Sequence, residues 1–270
     1  MTDYSAALDG FTESTFTHDG TSRQVFAAGE GPAVIVIHEV PGLHPGVVDF
    51  ARRIVARGHH VRMPSLFGTP GKPVSAGYAL REMVGGCVAR EFATWTLDRT
   101  SPITTWLRAL AADAHAQCGG PGVGAVGMCF TGGFALGMMV DERMLAPVLS
   151  QPSLPFTVGK RRKAAVGISD ADLERVKERA ADGVCVMGLR FTADIAVPAA
   201  RFDTLRRALG DAFIAVEIDS SKGNPYGIKR SAHSVLTEHL VDEPGHPTRD
   251  ALERMLDFFD ERLKTASRSA

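Results

Sequence analysis

An α/β fold with an open, mostly parallel, doubly wound sheet and a leading antiparallel hairpin follows from three features of the 270-residue chain. Short, almost wholly apolar segments read as strands covered on both faces. Helical stretches separate them, the pattern of parallel strands joined by crossovers. Near the N-terminus an Asp-Gly pair lies between two strand-like segments, which is the strongest short-range hairpin signal.

The elements follow in order. Residues 14–28 read as a hairpin around Asp19-Gly20. Ala33 to Ile37 is a continuous apolar run and forms the first core strand, ended by a Gly/Pro turn. From Gly46 to Arg57, the positions of Val47, Phe50, Ile54 and Val55 have helical spacing. His59 to Met63 is the next strand, stopped by Pro64. Ser101-Pro102 supplies an N-cap and a first-turn proline for a helix through Ala116. Gly122 to Gly127 is an apolar strand and Thr131 to Val140 a small-residue helix. Ala146 to Leu149 is again a strand, and Ser169 caps a helix ending at Ala181. Gly183 to Leu189 is a strand that should bury Cys185 mid-way, as free cysteines usually are. Ala199 to Leu209 is an amphipathic helix, Ala212 to Ile218 a strand, and Thr248 to Lys264 a long closing helix. No internal repeat or long low-complexity tract divides the chain, so residues 1–270 are expected to form a single domain.

Thirty Lys and Arg against 31 Asp and Glu give a net charge of −1. That balance carries no electrostatic footprint for nucleic acid or anionic lipid, so neither is an expected partner. The apolar runs are strand-length, well short of the ~20 residues of a membrane span. The first ten residues lack the basic and apolar regions of a secretory signal. Four cysteines (Cys87, Cys118, Cys129 and Cys185) form no C-x-x-C pair and no disulfide framework. A reducing, cytoplasmic setting is the expectation; oligomeric state is not encoded in any of these features.

The most informative stretch is Gly122-Val-Gly-Ala-Val-Gly-Met-Cys-Phe-Thr-Gly-Gly133. An apolar strand runs into Gly127-x-Cys129 and a glycine-rich helix begins at once, which is the layout of a nucleophile elbow. The helix N-terminus favours a thiolate and offers backbone N–H groups to an oxyanion. The same stretch matches Gly-x-Gly-x-x-Gly by letter. Its glycines lie before and within the strand, however, where they cannot present a helix N-terminus to a pyrophosphate. No cofactor is expected. A thiol nucleophile needs a base, and the base an orienting carboxylate. In enzymes with this elbow the acid follows a later strand and the histidine comes last. Asp194 meets the first condition, in the loop after the strand at Gly183 to Leu189; Asp203 and Asp219 are weaker. Of the histidines after the last strand, His233 leaves about fifteen residues before the closing helix, enough to swing over the sheet; His239 is the second choice. His246 abuts the helix. His38-Glu39-Val40-Pro41-Gly42 follows the first core strand, where the N–H of Val40 could join that of Phe130 in an oxyanion hole. It is not H-E-x-x-H, and Pro41-Gly42 prevents a shared helical face, so no metal is expected.

These motifs resemble the dienelactone hydrolase family of α/β hydrolases over roughly residues 20 to 265. The motifs that carry the likeness are Val36-Ile-His-Glu-Val-Pro-Gly42, Met63-Pro-Ser-Leu-Phe-Gly68, Gly127-Met-Cys-Phe-Thr-Gly-Gly133, Asp194-Ile-Ala-Val-Pro198 and His233-Ser234. The resemblance implies an α/β-hydrolase fold, Cys129 as nucleophile, His233 as base and Asp194 as its acid. It implies Glu39 as a carboxylate beside the thiol that controls its protonation, and Ser234 at the substrate site. The implied reaction is cofactor-free hydrolysis of an enol-lactone or small ester through a thioacyl enzyme. Three positions depart from the family pattern: Thr131 in place of a glycine, His38 in place of a glutamine, and Thr237 where lactonases that grip a substrate carboxylate carry arginine. Arg90, ahead of Arg81 and Arg190, is the candidate to supply that cation. A carboxylesterase or thioesterase on another small ester is the alternative hydrolase, and a non-catalytic binding protein on the same fold is the alternative from another class.

Overall fold

In the computed structural model, which describes residues 3–88, 101–154 and 159–264, eight strands form one sheet in the order β1-β2-β4-β3-β5-β6-β7-β8. The hairpin is β1 (Thr12–His18) and β2 (Thr21–Ala28), antiparallel and turned through Asp19 and Gly20, both at positive φ. It is joined antiparallel to β4 (His60–Pro64), and every later pairing is parallel: β3 (Ala33–Ile37), β5 (Val123–Met128), β6 (Met144–Ser150), β7 (Val186–Phe191) and β8 (Phe213–Ile218). The fold class expected from the strand composition is the fold observed. Among the described residues no helix is long and apolar enough to cross a membrane.

Alternation along the strands divides the core into two layers. Ala33, Ile35 and Ile37 face one way and pack with α3 (Pro102–Cys118), α4 (Gly132–Met138), α6 (Asp170–Ala181) and α7 (Ala199–Leu209). Val34 and Val36 face the other way and pack with α1 (Pro45–Ala56) and α8 (Pro247–Leu263). Because both faces are covered, the strands read as unbroken apolar runs. Ser169 caps α6 through the Asp172 N–H, as its position predicts, and His246 caps α8 through the Thr248 N–H. Two short or weakly periodic helices were not read from the sequence: α2 (Ala76–Val88) and α5 (Lys160–Ala164). Cys185 also departs from expectation. It precedes β7 instead of sitting inside it, and is only partly buried, with its sulfur 3.0 Å from Arg262 Nη2. The physical reason is that Gly183, at φ +96, still belongs to the turn after α6.

The chain runs β3 to β4 on one side, then returns to add β5 on the other side of β3. The carboxyl ends of β3 and β5 therefore flank a topological switch point, where open α/β sheets place their sites. Ile37 pairs with Gly127, which brings the segment after β3 beside the segment after β5. Thr131 fixes that junction. Its buried Oγ1 accepts from the Met128 N–H at 2.9 Å and lies 2.8–3.2 Å from the carbonyls of Met128, Ile37 and His38, one of which takes its proton. Far from crowding the turn, the threonine ties it to β3. Thr131→Val, which keeps the shape and removes the hydroxyl, should lower the unfolding free energy by about 1–3 kcal/mol, because it orphans a buried N–H. Urea unfolding checks this; a wild-type midpoint and slope would show that the hydroxyl holds nothing.

Candidate active site

Cys129 follows β5 directly and adopts φ +58, one of three described non-glycine residues at positive φ. The turn needs two glycines. A Cβ on Gly127 would lie 2.3 Å from the Thr131 carbonyl oxygen, and one on Gly132 2.8 Å from the Pro152 side chain. A single 3₁₀ turn, Cys129–Thr131, then leads into α4. Phe130, expected to offer its N–H to an oxyanion, is the middle residue of this turn, and its ring packs against Phe67 and Phe134. Val40 lies at the carboxyl end of β3, beside the elbow by the Ile37–Gly127 register.

Asp194 and His233 are brought together from separate loops. The Asp194 Oδ2 lies 2.6 Å from His233 Nδ1, while Oδ1 accepts the Ala196 N–H at 2.9 Å. The acid is buried and the imidazole one-quarter exposed. Burial alone would lower the His233 pKa, but the facing Cys129 sulfur and the Asp194 carboxylate outweigh it and push it up to about 11. The ring therefore carries its proton across neutral pH, between sulfur on one side and carboxylate on the other. His239, the second choice for base, has another place. Its Nδ1 accepts from the N–H groups of His233 and Ser234 at 3.4 and 3.2 Å, so it supports the loop that bears the histidine. An accepting nitrogen requires a neutral ring, and burial together with the His233 charge lowers its pKa accordingly.

Glu39 is buried, and its described contacts run to the histidine loop, Gln151 and His44 and not to Cys129. Oε2 accepts from Ser234 Oγ at 2.6 Å and Gln151 Nε2 at 3.0 Å; Oε1 accepts from Thr237 Oγ1 and lies 3.4 Å from His44 Nε2. Burial would raise this carboxyl, yet the bonds from His44, Ser234 and Thr237 hold it below the usual glutamate value, so it is ionised at neutral pH. His38 stands behind it, fully buried. Its Nδ1–H donates to the Glu39 carbonyl at 3.0 Å and its Nε2 accepts the Leu66 N–H at 3.0 Å. Burial pushes its pKa down to about 4, in keeping with that neutral tautomer. Ser234, expected at the substrate, is thus a partner of Glu39.

Of the candidate cations, Arg90 lies outside the described residues. Arg190 is buried against Glu217 and the Val197 carbonyl, and Arg81 is exposed and paired with Glu82. Both are committed to the fold or the surface. Among the described residues no cluster of three or more His, Cys, Asp or Glu side chains is arranged to hold a metal ion. A surface recess lined by Pro121, Val140, Asp141, Glu142 and Arg143 lies at the amino ends of β5 and β6, the opposite end of the sheet from Cys129.

Two features escaped the sequence reading. The first is the segment after β6. Gln151, at φ +37, bonds Glu39 through its amide and accepts the Val235 N–H through its oxygen, and Ser153 Oγ lies 3.1 Å from Cys129 Sγ. Its only signal is position, a polar Ser-Gln-Pro-Ser run at the carboxyl end of an apolar strand. The second is Arg201, 1 % exposed, whose guanidinium donates to the carbonyls of Pro152, Ala196, Ala165 and Arg162. It joins the segment after β6 to the Asp194 loop. Burial pushes its pKa down to about 10, against the pull of the Asp194 charge.

No curated protein matches the chain. Solved structures share its fold at low identity. A candidate dienelactone hydrolase from Klebsiella pneumoniae subsp. pneumoniae is 19% identical, with a TM-score of 0.63 over 93% of this chain and 98% of that one. A dienelactone hydrolase-like promiscuous phosphotriesterase from metagenomic libraries is 18% identical, with a TM-score of 0.62 over 94% and 98%. A zinc-bound cold-adapted esterase from an Arctic intertidal metagenomic library is 16% identical, with a TM-score of 0.57 over 94% and 95%. The family profile for dienelactone hydrolases matches residues 21–263, from the start of β2 through the elbow and both loops of the site, and the chain belongs to the dienelactone hydrolase family.

Proposed function

We propose that the protein hydrolyses a small carboxylic ester or enol-lactone, with Cys129 as nucleophile, His233 as acid and base, and Asp194 as its orienting partner. The observation that carries this reading is the 2.6 Å Asp194–His233 pair facing a cysteine held at positive φ on a strand-to-helix elbow. In the first step the Cys129 thiolate attacks the carbonyl carbon. The C–S bond forms and the carbonyl π pair moves to oxygen, which the N–H groups of Val40 and Phe130 would receive. Collapse breaks the C–O bond, and His233 passes its proton to the departing enolate or alkoxide. Neutral His233 then takes a proton from water as the water attacks the thioacyl carbon. The C–S bond breaks, its electron pair returns to sulfur, and the imidazolium–thiolate pair is restored. No cofactor enters.

Glu39 serves this site as an anchor. It holds Ser234 and Thr237, on either side of Val235 and Leu236, whose side chains are buried in the second core layer. Thr237, standing where an arginine would grip a substrate carboxylate, gives its hydroxyl to Glu39. That favours a neutral ester over a carboxylate-bearing lactone. A screen of activated short-chain esters against acidic lactones tests this choice. Turnover of neither would favour a binding protein on the same fold.

Cys129→Ala should abolish ester hydrolysis. His233→Ala should cost on the order of 10³-fold in kcat, and His246→Ala, which removes only the α8 cap, should cost little activity. His233→Ala should also slow iodoacetamide alkylation of Cys129 at pH 7 at least ten-fold. An imidazolium facing the sulfur favours the reactive thiolate, and reactivity lost with it should recover at higher pH. Wild-type turnover in Cys129→Ala would end the elbow reading.

Glu39→Gln should lower the unfolding free energy by about 1–3 kcal/mol and reduce kcat together, because one amide oxygen cannot accept the bonds of two carboxylate oxygens. The pH midpoint of Cys129 alkylation should stay nearly fixed. A midpoint that moves while stability is kept would show Glu39 acting on the thiol itself.

A further inference from the structure

Ser153 is 8 % exposed and makes two contacts with the nucleophile residue: its N–H donates to the Cys129 carbonyl at 3.0 Å, and its Oγ lies 3.1 Å from Sγ. The backbone around it is held on all sides. Gln151 at φ +37 donates its N–H to the Leu189 carbonyl and its amide to Glu39, and Arg201 takes the Pro152 carbonyl at 2.6 Å. These bonds fix the backbone that carries the Ser153 hydroxyl beside the sulfur. We propose that the Ser153 hydroxyl is a catalytic hydrogen-bond donor to the Cys129 sulfur, acting chiefly where the thiolate is expelled from the acyl-enzyme. The proposal rests on Cys129 being the nucleophile.

The direction of the bond follows from charge. Whenever sulfur carries the negative charge it can only accept, and the 3.1 Å contact is then an O–H···S⁻ bond. During acylation sulfur gives its negative charge to the substrate oxygen, so the bond weakens as the C–S bond forms. During deacylation the C–S bond breaks and the electron pair returns to sulfur, directly opposite a donor already in place. Such a donor stabilises the leaving group of the second step, while in the first it holds Sγ in position and enlarges the thiolate fraction. The other charged and titratable groups around the pair are Asp194 and Arg201 on the acid side, and Glu39 and His239 on the histidine-loop side. Ser153 is the uncharged group set against Sγ among them, with its Oγ at 3.1 Å.

Ser153→Ala and Ser153→Thr, compared in the full-length protein, test this. In Ser153→Ala the pH midpoint for iodoacetamide alkylation of Cys129 should rise by about one unit, the effect of a lost bond to a charged group. Steady-state kcat on an activated nitrophenyl ester should fall about ten-fold. A pre-steady-state burst of nitrophenol should grow toward one per active site, because deacylation slows more than acylation. Ser153→Thr, which keeps a hydroxyl, should restore most of the midpoint and shrink the burst. An unchanged alkylation midpoint together with an unchanged burst in a folded Ser153→Ala overturns the proposal. If alanine misfolds, a folded Ser153→Gly variant, which also lacks the hydroxyl, with an unchanged midpoint and burst overturns it equally. The alkylation readout needs no substrate, so the role of Ser153 can fail while ester hydrolysis through Cys129 stands. Loss of Cys129 reactivity in the wild type would instead sink the nucleophile.

Discussion

Everything at the site depends on a backbone conformation that a side-chain-bearing residue seldom adopts. Cys129 at φ +58 costs of order 1 kcal/mol or more on its own, and persists only because its surroundings leave no alternative. Gly127 admits the Thr131 carbonyl where any Cβ would collide. Thr131 closes the turn from the inside, bonding Met128 and reaching across to the last carbonyls of β3. The parallel β3–β5 register then sets where the sulfur stands relative to Val40. One strained residue is thus over-determined by two strands, a hydroxyl and a missing methyl group.

A second constraint comes from burying charge. Glu39 lies in a place where an unpaired carboxylate would be expensive, and it is tolerated because hydroxyls and an amide converge on it. Those donors come from the histidine loop and from the segment after β6, so the cost of burying one charge is offset by bonds that also locate the His233 loop. Arg201 repeats the arrangement with opposite sign. Its guanidinium is satisfied by backbone carbonyls alone and links the Pro152 and Ala196 segments, one beside Ser153 and Cys129 and one beside Asp194. The site is a set of loops sewn together by buried ions, each with its polar atoms matched.

What could be read in the sequence was whatever a local pattern records. Ala33 to Ile37 is apolar throughout because both faces of that strand are covered, and the pattern shows it. The elbow was legible because its steric demands fall on residues adjacent in sequence. Asp194 and His233 were reached through chain order and loop length, which bear on position but not on contact. The partners of Glu39 were not legible, since Gln151, Ser234 and Thr237 are over a hundred residues away and ordinary in composition. Ser153 is a serine in a polar loop, with nothing local to distinguish it. Cys185 was misplaced because an apolar run gives a strand's existence more reliably than its first residue.

The three departures from the family pattern meet in one network. Thr131 reaches the His38 carbonyl, His38 donates to the Glu39 carbonyl, and Thr237 bonds the Glu39 carboxylate. Each change alone would cost something: a bulkier residue in a tight turn, a buried imidazole, a lost cation. Together they surround Glu39 with neutral hydrogen bonds beside the facing His44, for His38 is held uncharged by burial and a threonine hydroxyl has no charge to give. A carboxylate stabilised in this way needs no arginine near the pocket. The Thr237 hydroxyl ties the histidine loop to that carboxylate, so a position that departs from the family pattern is bound into the interior of the site.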